Sequence, residues 1–204
     1  MTNSFKSVVL AIGHCKKWIL TIFIIYCISS ATGIIMVHSG NRFALLYRDK
    51  IVGHAVSIAK ASINYHQGSR VKAAVIDFSG NLLLSAIPQT FMGLGIIFPF
   101  FTTLYQGWIG GIVSVDGVHQ SRLRNIKPAL YYFIVLILQF IPYSMTIGSG
   151  ISLGIKTYRL NKGRKLINFR MDQSGLKDVF NLYLLAIPLF FCASCFEFLS
   201  NWNG

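Results

Sequence analysis

The chain has 204 residues, of which 53% are hydrophobic and only 12% charged, and its mean hydropathy is +0.57. A soluble domain carries roughly 25% charged residues, so this composition cannot coat a water-facing surface in the usual way. Its 19 Lys and Arg against 6 Asp and Glu give +13. That charge lies between apolar runs without a basic–aromatic strip, which argues against a nucleic-acid partner and for loops set against anionic lipid headgroups.

The predicted elements follow in chain order. Lys16 and Lys17 precede Trp18–Val37, twenty residues without a charge. Twenty residues at 1.5 Å each cross a hydrocarbon core of about 30 Å. The run is longer than a signal-peptide core and no clear A-x-A site follows, so an uncleaved anchor is expected. The segment 41–66 carries Arg42, Arg48, Lys50 and Lys60, and its apolar residues Leu45, Leu46, Ile51, Val52, Ala55, Ile58, Ala59 and Ile63 recur near a helical period. This predicts one amphipathic helix, lying on the membrane or packed on the rest of the chain.

From Ala73 to Val115 the only charge is Asp77, and Pro88 and Pro99 both fall inside the stretch. The length suits two spans, 73–92 and 94–115, or one span plus a re-entrant segment; non-helical backbone at membrane depth has to be buried in protein or face water. A polar loop with Arg122, Arg124 and Lys127 follows, then an uncharged run to Ile155 and the basic loop 156–177. Lys162, Arg164, Lys165 and Arg170 of that loop are candidate contacts for a partner or for lipid. The last span, 179–199, contains one charge, Glu197. The expected fold is therefore all-α: one membrane domain over 1–204 with about five spans (18–37, 73–92, 94–115, 129–155, 179–199), a Pro/Gly-broken segment and an interfacial helix. The N-terminus is placed in the cytoplasm and the C-terminus outside, from the seven basic residues of 156–177 together with Lys16 and Lys17.

No phosphate loop, H-E-x-x-H or G-x-S-x-G occurs, and the five histidines are scattered. Neither an enzyme, a cofactor nor a metal is expected. Cys192-x-x-Cys195 has redox or metal spacing, but no second ligand pair accompanies it. Polar residues at membrane depth are the remaining candidates: Asp77, Asn81, Gln89, Gln106, Gln139 and Glu197. They suit either an ion, proton or substrate path or interhelical hydrogen bonding. Gly107-x-x-x-Gly111 and Gly150-x-x-x-Gly154 permit close helix approach, and Gly93 and Gly95 add to that signal.

Asn81, Gly93 and Gly95, Leu104-Tyr105-Gln106-Gly107 with Gly110-Gly111, Gly148 to Gly154, and Phe196-Glu197-Phe198 together resemble the stage II sporulation protein M family, across roughly residues 18–200. The chain departs from that family's pattern in two places. Its fourth span lacks the His and Glu often found there, with Gln139 where the Glu would stand, and Gln106 replaces an Asn. The resemblance implies a polytopic protein of the bacterial cytoplasmic membrane that works with other membrane or envelope proteins. The leading expectation is a non-enzymatic subunit that scaffolds or anchors a multiprotein complex. The alternative is a permease-like exporter subunit driven by a separate ATPase. Self-association is open.

Overall fold

The computed structural model describes residues 2–54, 56–162 and 170–200. Apart from one isolated bridge between Val115 and Ser121, the described residues form helices and their connections. Helix α1 runs from Thr2 to His38, so the N-terminal seventeen residues continue the first span as one helix. It ends where Gly40, at φ +73°, closes the last turn. Asn41 then caps α2 (Arg42–His54), its Oδ1 accepting the Ala44 amide at 3.1 Å. Beyond residue 55 the described chain continues as helix α3 (Val56–His66), and Gly68 at φ +79° turns the chain out of it.

The next helical run is unbroken from Arg70 to Gly95. It comprises α4 (Arg70–Ser79), a π-helical segment (Gly80–Ala86), α5 (Ile87–Met92) and one 3-10 turn (Gly93–Gly95). Pro88 does not break it. A proline ring clashes with the carbonyl four residues back in a regular helix, and the wider π turn upstream relieves that crowding. The chain reverses instead at Ile96, a β-branched residue in left-handed backbone at φ +55°, and Pro99 sits in the first turn of α6 (Phe98–Ile112). Helix α7 (Ile126–Asn161) contains Pro142, and α8 (Gln173–Leu199) contains Pro188.

Four of these segments are long and apolar enough to cross a membrane: Phe5–His38, Arg70–Gly95, Ile126–Asn161 and Gln173–Leu199. The expected span 94–115 is the 15-residue α6, about 22 Å long and short of a 30 Å core. With α6 counted among them, successive segments alternate in direction. Phe78 meets Phe191 and Thr90 meets Tyr183, so α4–α5 runs antiparallel to α8. Phe100 meets Trp18 and Gly111 meets Ser30, so α6 runs parallel to α1.

The core lies where α1, α7 and α8 meet the π segment. Tyr26 stacks on Phe140 at 4.6 Å, Tyr143 meets Phe190 edge-on at 4.8 Å, and Ile22, Ile147, Ile151 and Ala186 fill the space between. The outer faces keep large apolar side chains exposed: Leu20, Ile24 and Ile28 on α1, Leu83 and Leu84 on the π segment, Phe180 and Leu184 on α8. A water-soluble monomer rarely exposes apolar surface on this scale; hydrocarbon is the solvent that suits it.

Candidate functional site

Asp77, Asn81, Ser85 and Gln89 fall four residues apart along the run from Arg70 to Gly95. In an α-helix each step of four overshoots a full turn by about 40°, so such a stripe winds off its face. The π turn falls short of a full turn over the same four residues. Because the π segment holds Asn81 and Ser85, the two drifts offset each other and the stripe keeps facing the other helices.

The stripe is bonded along its length and outward from it. Asn81 Nδ2 donates to Asp77 Oδ2 at 2.9 Å, and Gln89 Nε2 donates to Ser85 Oγ at 2.8 Å. Ser194 of α8 donates to Asp77 Oδ2 at 2.7 Å. The Tyr143 hydroxyl of α7 donates to Asn81 Oδ1 at 2.9 Å. Gln106 of α6 donates to Ser85 Oγ at 3.1 Å while accepting the Tyr26 hydroxyl of α1 at 2.6 Å. One row of four polar side chains thus reaches α6, α7 and α8, and through Gln106 it is linked to α1. At the next residue, Thr90 Oγ1 shares hydrogen bonds with the Thr146 carbonyl of α7 at 3.2 Å and the Tyr183 hydroxyl of α8 at 2.8 Å.

Gln139 and Glu197 form a second cluster between α7 and α8. Gln139 Nε2 donates to Glu197 Oε2 at 2.9 Å, and the Tyr131 hydroxyl donates to the Glu197 backbone carbonyl at 2.6 Å. All six intramembrane candidates therefore stand in hydrogen-bonded groups, and the side chains that join them without having been singled out from sequence include Tyr26, Ser85, Thr90, Tyr143, Tyr183 and Ser194. Their common signal was present at Ser85, which completes the four-residue spacing. Gln89 Oε1 is buried and has no hydrogen-bond partner among the described residues.

The glycines sit at backbone contacts. A Cβ on Gly93 would collide with the Gly150 backbone, one on Gly150 with Thr90, and one on Gly154 with Gly93. Gly107 lies against Tyr26 and Ser29 of α1, and Gly111 against Ser30 and Gly33. Gly95 meets only the Phe98 ring beyond the turn. Gly33 and Gly148, the latter against the Ile19 backbone, make equivalent approaches.

A further cluster lies where α1, the end of α7 and the start of α8 come together. Asp178 accepts Lys156 Nζ at 2.7 Å and faces His14 Nδ1 at 3.1 Å, its side chain only 9% exposed. The basic loop was expected to meet a partner or lipid, and this ion pair within the chain was not anticipated. Lys162 and Arg170 are exposed there, and Asn161 bonds both backbone groups of Arg170. Arg164 and Lys165 lie outside the described residues. Among the described residues no three His, Cys, Asp or Glu side chains gather where a metal ion could be held, and Cys192 and Cys195 are free thiols.

Chemically this arrangement cross-links helices. Each hydroxyl or amide of the stripe faces another polar side chain. No family model, curated protein or solved structure matches the chain significantly.

Proposed function

We propose that the chain is a non-enzymatic, polytopic subunit that scaffolds or anchors a multiprotein assembly in the bacterial cytoplasmic membrane, with α6 as a fifth crossing beside α1. The observation that carries this reading is the stripe Asp77–Asn81–Ser85–Gln89, whose polar groups engage α6, α7 and α8 directly and α1 through Gln106. Polar side chains at membrane depth are costly, and here they join helices to one another. Glycine approaches at Gly93–Gly150 and Gly111–Ser30 add rigidity. A rigid apolar body with basic surfaces at both ends suits a platform for other envelope proteins.

A second reading, a permease-like subunit driven by a separate ATPase, is favoured by the unpartnered Gln89 Oε1 and by the reversal at Ile96, since broken helices line transport pathways. Asn81→Ala separates the two. A structural role predicts lower steady-state protein and looser assembly. Normal protein level with loss only of an exported substrate would contradict it.

A further inference from the structure

The π segment Gly80–Ala86 stands directly ahead of Pro88, and its closing bond runs from the Ile87 amide to the Leu82 carbonyl, five residues back. A regular helix bonds four residues back, so a π turn carries one extra residue. Pro88 supplies a reason for it. Proline has no N–H to donate, and in a regular helix its ring would press on the carbonyl four residues back, that of Leu84.

The extra residue sets the azimuth of the chain before it. After the π segment the backbone is locked to α7 and α8: a Cβ on Gly93 would strike the Gly150 backbone, and Thr90 bonds the Thr146 carbonyl and the Tyr183 hydroxyl. Before it, α4 meets α8 through side chains, Asp77 with Ser194 and Phe78 with Phe191. Closing 80–86 into a regular helix would therefore turn α4, and not α5, by about 100°. Three steps of four residues would then wind the stripe by about 120° between Gln89 and Asp77. Asp77 would leave Ser194, and Asn81 would leave Tyr143.

We propose that Pro88 is the positioning residue of the stripe: by holding Gly80–Ala86 in the π form it sets the register in which Asp77 reaches α8 and Asn81 reaches α7. Its side chain forms no hydrogen bond and works through the backbone alone. The proposal implies a specific cure for its loss. Leu83 and Leu84 are adjacent and both exposed, so one of them can be removed without emptying the outer face. With Leu83 deleted, a regular helix spaces Asp77, Asn81, Ser85 and Gln89 by four, three and four residues, which keeps them within about 60° of one another. The inference rests on the stripe, and holds whether the chain is a scaffold or a permease-like subunit.

The test uses the full chain in detergent, cysteine-free except for Asp77→Cys and Ser194→Cys, with disulfide formation under mild oxidant as the readout. A bridge needs Cβ atoms about 4 Å apart, and the turn of about 100° moves the Cα of residue 77 by about 3.5 Å. Pro88→Ala should therefore slow bridging about tenfold. A parallel Phe78→Cys/Ser194→Cys pair should gain in rate, because the turn brings residue 78 to the azimuth that residue 77 leaves. Deleting Leu83 in the Pro88→Ala chain should restore the first pair to the rate seen with Pro88 in place, although either change alone impairs it. A proline with a merely structural role predicts the opposite, since the deletion would then add to the damage. Unchanged bridging in Pro88→Ala would show that packing holds the π turn without the proline, and would overturn the proposal; so would failure of the deletion to restore it. If Pro88→Ala does not accumulate as folded protein, recovery of folded protein on deleting Leu83 is the expected result and its continued loss the contrary one.

Discussion

Asn81 donates to Asp77 and accepts from Tyr143, so one amide holds α4 and α7 together. Interhelical hydrogen bonds at membrane depth contribute about 0.6–2 kcal/mol each. Asn81→Ala should therefore lower unfolding free energy in detergent by about 1–3 kcal/mol. Asp77→Asn, which keeps an acceptor for Ser194, should cost less than half as much. A larger loss from Asp77→Asn would mean that the charge, and not the hydrogen bonds, is what the site needs. The glycines give a sharper contrast. Gly150→Ala pushes a methyl into the Thr90 backbone and should cost more than 2 kcal/mol, whereas Gly13, with nothing within 4 Å of the added Cβ, should gain up to about 1 kcal/mol from the better helix former. Thermal melts of the two variants in one detergent check the pair.

At the level of elements, apolar run lengths made the long helices legible. Trp18–Val37, Ala129–Ile155 and Val179–Leu199 all lie inside helices of the structure. The reversal falls beside the expected boundary between 73–92 and 94–115, whereas Pro88 alone marks a place where a regular helix is strained without saying how the strain is relieved. At Pro88 a π turn absorbs it, and the break falls eight residues later at Ile96, a residue type that carries no turn signal. The same π turn aligns Ser85 with Asp77 and Asn81, which a regular 3.6-residue period would not suggest. Asp178 was not legible because its partners, His14 and Lys156, come from helices remote in sequence. The start of α8 offers a test of local physics. Asp172 caps it, and the Ser174 hydroxyl first and then the Gly175 amide hold its carboxyl below the usual carboxylate range. A lowered folded value means that the carboxylate stabilises the fold above its unfolded value, about pH 3.9, and that this contribution is lost as pH falls through the folded value. Melting temperature should thus drop more steeply below about pH 4 in the wild type than in Asp172→Asn, and Asp172→Ala should cost about 1 kcal/mol near neutrality.

For the whole molecule, orientation is the property that composition leaves least determined. Segments 1–17 and 156–177 carry ten basic residues, and segments 38–72 and 116–127 carry nine. Lys and Arg bias is the main topogenic signal, and near parity leaves the placement of the N-terminus in the cytoplasm with little support from charge. The number of crossings is easier to test. If α6 is a fifth crossing, Ile97→Cys and Lys162→Cys in a cysteine-free background should react with an impermeant maleimide from one side of the membrane, and Val118→Cys from the other. Labelling of Ile97→Cys and Val118→Cys from the same side would exclude α6 as a span.

The scaffold reading itself stands or falls on partners. The direct measurement is purification of the tagged chain at native expression in mild detergent, with mass spectrometry of what accompanies it. The account predicts stoichiometric membrane or envelope proteins without an ATPase; stoichiometric recovery of an ATP-hydrolysing transport subunit would contradict it.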